Sequence, residues 1–192
     1  MKKNTINQIY FRELNQISKV YNLLKKKVPK NFELLCKKSL HAIKNKKKII
    51  FFGNGGSASD SMHLATELVV QYKKTRQAIN AISLSTNIGA VTAIANDFDF
   101  KQIFSRQIEA YAQKGDVLIS LTTSGNSQNI IEAAKFAKKK KLQHFSLVGN
   151  KGGKIKNYCA HPIIIPSSTT SIIQIYHISL GHILCEFLED SV

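Results

Sequence analysis

The chain has 192 residues, 43% of them apolar, and its 28 lysines and arginines against 12 aspartates and glutamates give a net charge of +16. That length suits one domain with a sizeable core and excludes a largely disordered chain. No stretch approaches ~20 uninterrupted apolar residues, so no membrane span is expected. Cys36, Cys159 and Cys185 are odd in number, which speaks against a disulfide framework and fits a reducing, cytoplasmic setting.

The start, Met1-Lys2-Lys3-Asn4, runs into a mixed segment rather than a secretory apolar run. Over residues 5 to 27, Ile6, Tyr10, Leu14, Ile17, Tyr21 and Leu24 recur at three- and four-residue spacing, which predicts an amphipathic helix. Pro29 ends it, and Asn31 is the expected cap of a second helix carrying Phe32, Leu35, Leu40 and Ile43. This pair precedes the first strand, and its long apolar stripe is expected to pack against a neighbouring subunit.

From Lys48 the pattern becomes one of βα units. Strands are expected at Ile49 to Phe52, Ala78 to Leu84, Val117 to Leu121, Phe145 to Val148 and Ile163 to Ile165. Helices fall near 57 to 71, 88 to 95, 101 to 113, 127 to 140 and 170 to 189. Such alternation implies an α/β fold with a largely parallel sheet covered on both faces. With no repeat and no linker, residues 1–192 read as one domain, a helical pair over 1–47 followed by an α/β core over 48–192. The lysine runs Lys25 to Lys27, Lys46 to Lys48 and Lys138 to Lys141 adjoin helix ends, where the backbone dipole favours cations. Only Arg12, Arg76 and Arg106 are arginines, so the charge reads as solvated helix ends rather than a nucleic-acid surface. Anionic small molecules are the expected partners.

Ligands of open α/β sheets sit beyond the carboxyl ends of strands. Directly after the first strand comes Gly53-Asn54-Gly55-Gly56-Ser57-Ala58-Ser59-Asp60. Its glycines let the backbone approach a ligand, and the helix that follows offers free N–H groups to an anion. It matches neither the dinucleotide fingerprint nor a P-loop, so no nucleotide is expected. Taken alone it is equally a turn that starts a helix, with Ser57 or Ser59 as cap. A second loop, Thr122-Thr123-Ser124-Gly125-Asn126-Ser127, tips the balance, since its four hydroxyls around a glycine make a neutral cradle for a phosphate monoester.

His63 and Glu67 lie four apart on one helix face, and the apolar neighbours of Glu67 make it a usable general base. A surface His–Glu pair is the plainer alternative. The last helix is mostly apolar, with Gln174, His177 and His182 as its interior polar residues. Gln174 and His182 are separated by roughly 12 Å of rise, so they can straddle a site without being neighbours. Two histidines, a glutamate and a glutamine also suit Zn²⁺, although no H-E-x-x-H is present.

The run Phe52 to Leu68, F-G-N-G-G-S-A-S-D-S-M-H-L-A-T-E-L, resembles the first active-site loop and helix of the phosphoheptose isomerases of the sugar isomerase (SIS) domain family. Ala95-Asn96-Asp97-Phe98, Thr123 to Ser127, and Gln174 through His182 agree in the same order. The resemblance implies a five-stranded parallel sheet with two leading helices, assembled as a homotetramer with active sites at subunit contacts. It implies isomerisation of sedoheptulose 7-phosphate to D-glycero-D-manno-heptose 7-phosphate for lipopolysaccharide or capsule synthesis, with no redox cofactor. Asn54, Gly55, Gly56, Asn96 and Asp97 would hold the sugar. Thr122, Thr123, Ser124 and Ser127 would hold the phosphate, with Ser57 nearby. Glu67 and His182 would be catalytic, Glu67 and Gln174 would also touch substrate, and His63, Glu67, Gln174 and His182 would match the zinc ligands of members that bind it. Thr122, Gln71 and Ser171 stand where relatives often carry Ser, Arg and Asp. The rival reading is a non-catalytic SIS protein that binds a replication initiator, or an isomerase of another sugar phosphate; Glu67 and His182 together favour the enzyme.

Overall fold

The computed structural model describes residues 5–192, and the basic start at residues 1–4 lies outside them. Helix α1 (Ile6–Leu24) opens on a capping box, with Thr5 and Gln8 each accepting the other's backbone N–H. Helix α2 (Lys30–Lys44) begins one residue before the expected cap. Pro29 is its N-cap, and Asn31 lies inside the first turn, where its amide donates to the Pro162 carbonyl (2.7 Å) and ties α2 to a distant strand.

The strands are β1 (Ile49–Gly53), β2 (Ala81–Ser83), β3 (Val117–Thr122), β4 (Gln143–Gly149) and β5 (His161–Ile165). Helices α3 (Gly56–Val69), α4 (Ile88–Asp97), α5 (Ile103–Tyr111), α6 (Gln128–Lys139) and α7 (Thr170–Glu189) connect and follow them. All pairings are parallel, in the order β2-β1-β3-β4-β5. Because helices cover both faces, the strands are apolar without alternation. Ile49, Phe51, Val117, Ile119 and Phe145 pack towards α2, α3 and α7 through Leu35, Leu64, Leu68 and Leu184. Ile50, Phe52, Leu118 and Val148 pack towards α5 and α6 through Phe104, Ile108, Ile130 and Ala134.

Three departures from the expected elements have local causes. β2 is shorter because the Ile79 N–H donates to Leu68 O at the end of α3 (3.0 Å), so pairing with β1 starts only at Ala81. β4 is longer because Gln143 and His144 pair with Val117 and Leu118 despite their polarity; His144 Nε2 lies 2.9 Å from Ser120 Oγ. Lys48 is no solvated helix end, since its Nζ sits 2.7 Å from the buried Asp116 carboxylate.

Helix α7 has 20 residues and a mean hydropathy of 1.2, long and apolar enough by composition to cross a membrane. Here Leu184, Cys185 and Leu188 place one face of it in the core beside α3. By contrast α1 buries only Val20, leaving Ile6, Tyr10, Phe11, Leu14 and Tyr21 exposed, and α4 buries no residue at all. β1 leads into α3 on one face of the sheet and its neighbour β3 leads into α6 on the other. The loops after these two strands therefore part company, and the crevice between them is the place for a ligand.

Candidate active site

The first loop of the crevice is shaped by its glycines. A Cβ on Gly53 would press on the Ser57 carbonyl oxygen at 2.6 Å, and Gly55, the N-cap of α3, has φ +56. No serine caps α3: Ser57 is buried, and its N–H turns back to Asn54 O (3.0 Å). Among the described residues the N–H groups of Gly55 and Gly56, at the helix start, have no hydrogen-bond partner. The Asn54 amide makes a reciprocal pair with Asn129 in the first turn of α6, both bonds 2.8 Å, so the two loops are clasped together. Much of the polar capacity of Asn54 is thus used within the protein.

The second loop follows β3. Thr122 is buried and its Oγ1 accepts from Gly125 N–H (3.3 Å), so this hydroxyl shapes the loop instead of facing a ligand. Thr123 and Ser127 are half-buried, Ser124 is exposed, and no hydrogen bond within the described residues engages the hydroxyls of Thr123 or Ser127. Behind them runs a segment that the motif reading missed. Ile155 N–H donates to Gly125 O (2.9 Å), and Gly149 N–H donates to Thr123 O (3.1 Å). Gly125 (φ +67) and Gly152 lie backbone to backbone, where a Cβ on Gly125 would sit 2.5 Å from the Gly152 oxygen. The Gly152-Gly153 pair after β4 was its only trace in the sequence.

Helices α3 and α7 run side by side, closest at Gly181, whose added Cβ would collide with Leu64. This contact brings together side chains 115 or more residues apart. His63 Nε2 lies 2.9 Å from His182 Nε2 and 3.3 Å from Glu67 Oε1. The Glu67 side chain is 19% exposed against 48% for His63, so the carboxylate forms the floor. The His182 pKa lies below the ordinary imidazole value; burial is the main cause and His63 adds to it, with Glu67 opposing. His182 is therefore neutral at pH 7, able to accept at one nitrogen and donate at the other. Asp60, one turn before His63, is also raised in pKa by burial, with His63 opposing, and its Oδ2 is buried without a partner among the described residues.

Gln174 sits two turns before His182, its amide laid against Gly56, where a Cβ would collide with it. Asn96 and Asp97 end α4, exposed and bonded to each other (2.8 Å), with no hydrogen bond to either loop. His63, Glu67 and His182 supply nitrogen and oxygen donors of the kind zinc takes. Two nitrogens on one tetrahedral zinc are roughly 3.3 Å apart, so the imidazoles would open slightly from their present contact. Among the described residues no three His, Cys, Asp or Glu side chains already surround a common metal position.

The model of the SIS domain matches residues 10–149. The phosphoheptose isomerase of Nitratiruptor sp. is 49% identical over 152 residues, covering 79% of this chain and 81% of that one. That of Helicobacter pylori strain 26695 is 44% identical, covering 91% and 95%. The chain belongs to the phosphoheptose isomerase family of SIS domain proteins. The solved phosphoheptose isomerase from Neisseria gonorrhoeae superimposes with a TM-score of 0.90 at 33% identity, covering 98% of this chain and all of that one. The one from Francisella tularensis gives 0.92 at 25% identity. Both the glycine-rich and the hydroxyl-rich loop lie at the crevice beyond the carboxyl ends of β1 and β3. The cavity of about 580 Å³ bordered by Lys46, Arg76 and Asn80 lies at the opposite end.

Proposed function

We propose that the chain isomerises sedoheptulose 7-phosphate to D-glycero-D-manno-heptose 7-phosphate through an enediol(ate), with Glu67 and His182 as its acid–base pair. The observation that carries this reading is the meeting of His63, Glu67 and His182 between α3 and α7. A ketose-to-aldose shift moves one proton between adjacent carbons and another between their oxygens. Glu67 removes a proton from C1, the C–H electrons form the C1=C2 bond, and the C2 oxygen takes a proton from His182. The protonated Glu67 then delivers its proton to C2 while His182 recovers one from the C1 oxygen. No oxidant or reductant enters. The low pKa of His182 suits it to this shuttle, because a neutral imidazole can give and accept in turn.

The phosphate is assigned to Thr123, Ser124 and Ser127 with the first N–H groups of α6, and the sugar to Gly55, Gly56, Gln174, Asn96 and Asp97. Zinc would be held by His63, Glu67 and His182; Gln174, two turns along α7 and laid against Gly56, would complete the set only from a neighbouring subunit. When bound, it would polarise the carbonyl oxygen and steady the enediolate. Assembly as a homotetramer is supported by the exposed apolar stripe of α1 and by α4, which buries nothing within its own chain. Three buried free thiols fit a reducing cytoplasm, and the product fits supply of heptose for surface polysaccharide.

The test is purified protein with a panel of keto-sugar phosphates, read by NMR before and after chelation and zinc add-back. Turnover of the seven-carbon ketose ahead of five- and six-carbon esters is expected. Binding of a replication initiator or DNA without turnover would favour the non-catalytic reading.

A further inference from the structure

We propose that Tyr72 is a positioning residue for His182, and that Glu189 holds it in place from the end of α7. The inference rests on the acid–base reading of His182.

After α3 the chain turns sharply, and three successive N–H groups, those of Tyr72, Lys73 and Lys74, converge on the Glu189 carboxylate at 2.9, 2.7 and 3.0 Å. Glu189 is buried. Burial alone would push its pKa up; the three N–H donors and the Arg76 guanidinium 3.5 Å away outweigh that and hold it below the usual carboxylate range. Arg76 in turn donates from Nη2 to the Glu67 carbonyl oxygen (2.8 Å). One short segment is thereby fastened to the helix of Glu67 and to the helix of His182.

What the segment presents is the Tyr72 ring. It stacks on His182 with centroids 5.2 Å apart and planes at 25°. His63 meets the same imidazole edge-on, at 5.1 Å and 64°. A histidine χ2 torsion is broad and roughly two-fold, so a ring with nothing beside it samples several orientations. Between Tyr72 and His63 only one brings Nε2 to the position seen here. A buried carboxylate spent on three backbone N–H groups is directional in a way that apolar packing is not, and its direction fixes the ring.

The experiment compares Tyr72→Leu, Tyr72→Phe, Glu189→Ala and His182→Gln in the full chain. It reads kcat and KM for the ketose phosphate, melting temperature, and the imidazole ring-proton resonances, with that of His182 assigned by its loss in His182→Gln. Tyr72→Leu should lower kcat roughly tenfold or more with KM within about twofold. Its melting temperature should stay within a few degrees, and the His182 resonance should move downfield as the ring current is lost. Tyr72→Phe, which keeps the ring, should restore both. Glu189→Ala should reproduce the resonance shift and speed amide exchange at residues 72–74. If Tyr72→Leu fails to fold, Tyr72→Met supplies the same comparison. An unmoved resonance or an unchanged kcat in the leucine variant overturns the proposal, as does a Tyr72→Phe that loses as much as Tyr72→Leu. Normal turnover by His182→Gln overturns the acid–base reading instead, and the resonance still decides whether the stacking holds.

Discussion

The two ends of the sheet are built from different chemistry. At the carboxyl ends of β1 and β3 lie glycine, asparagine, serine and threonine, while at the amino ends lie Lys46 to Lys48 before β1, Lys114 before β3 and Lys138 to Lys141 before β4; Lys154 is the exception, its N–H donating to Asn126 Oδ1 (3.0 Å) behind the second loop. Parallel strands send the runs Lys46 to Lys48 and Lys138 to Lys141 to the same side, opposite the crevice. Along the six residues of β3 the two ends are roughly 20 Å apart, beyond a Debye length of about 8 Å at physiological salt. These lysine runs thus add little to the field at the crevice, whose two loops present backbone N–H and hydroxyl groups. Substitutions at one end should change turnover and at the other stability.

The largest effect is expected at the acid–base cluster between α3 and α7. Glu67→Gln keeps the shape and removes the base, so kcat should fall roughly a thousandfold with melting little changed. Near-normal turnover would end the assignment. Next comes Asp116 at the amino end, whose carboxylate holds Lys48 Nζ (2.7 Å), Lys48 N–H (3.0 Å) and Gln113 N–H (2.7 Å). Asp116→Ala should lower stability by about 3–5 kcal/mol in urea titrations, leaving kcat per folded subunit unchanged.

A smaller effect lies in α7. His177 is fully buried with neither ring nitrogen partnered among the described residues, and burial lowers its pKa to about 3. The unfolded chain takes up this proton below about pH 6.5 while the folded chain does not, so stability falls as pH drops from 6.5 towards 3. His177→Met should therefore gain on the parent by about 2 kcal/mol more at pH 5 than at pH 7. His144, lowered to about 3 by burial and by His161, keeps its own share of the slope in both proteins. The smallest effect belongs to Lys138→Ala with Lys141→Ala, where stability should move by less than about 0.5 kcal/mol. A severalfold rise in KM there would show the basic end reaching the site and break the contrast.

Much of this was legible before any coordinates. Unbroken apolar runs followed by Gly53 to Gly56 and Thr122 to Ser127 mark two strand-to-helix loops, because only a sheet covered on both faces tolerates such runs. His63 and Glu67 declare their shared face by spacing, whereas His182 joined them by family resemblance, since no periodicity reports a contact between α3 and α7. The Asn54–Asn129 clasp and the grip of Glu189 on residues 72–74 were invisible for the same reason. Asn31 failed as a cap because Pro162, far along the chain, offered its carbonyl to the amide. Thr122 was grouped with the other hydroxyls, yet its place as the last residue of β3 turns it inward.

The clasp between Asn54 and Asn129 has one consequence for selectivity. Two hydrogen bonds, each amide giving and receiving, make the paired loops a single caliper whose jaws cannot be spread without breaking both. One jaw opens into α3 and the other into α6. The gauge between the starts of the two helices is thus set by the protein before any ligand arrives, and a ligand must fit the gap it finds.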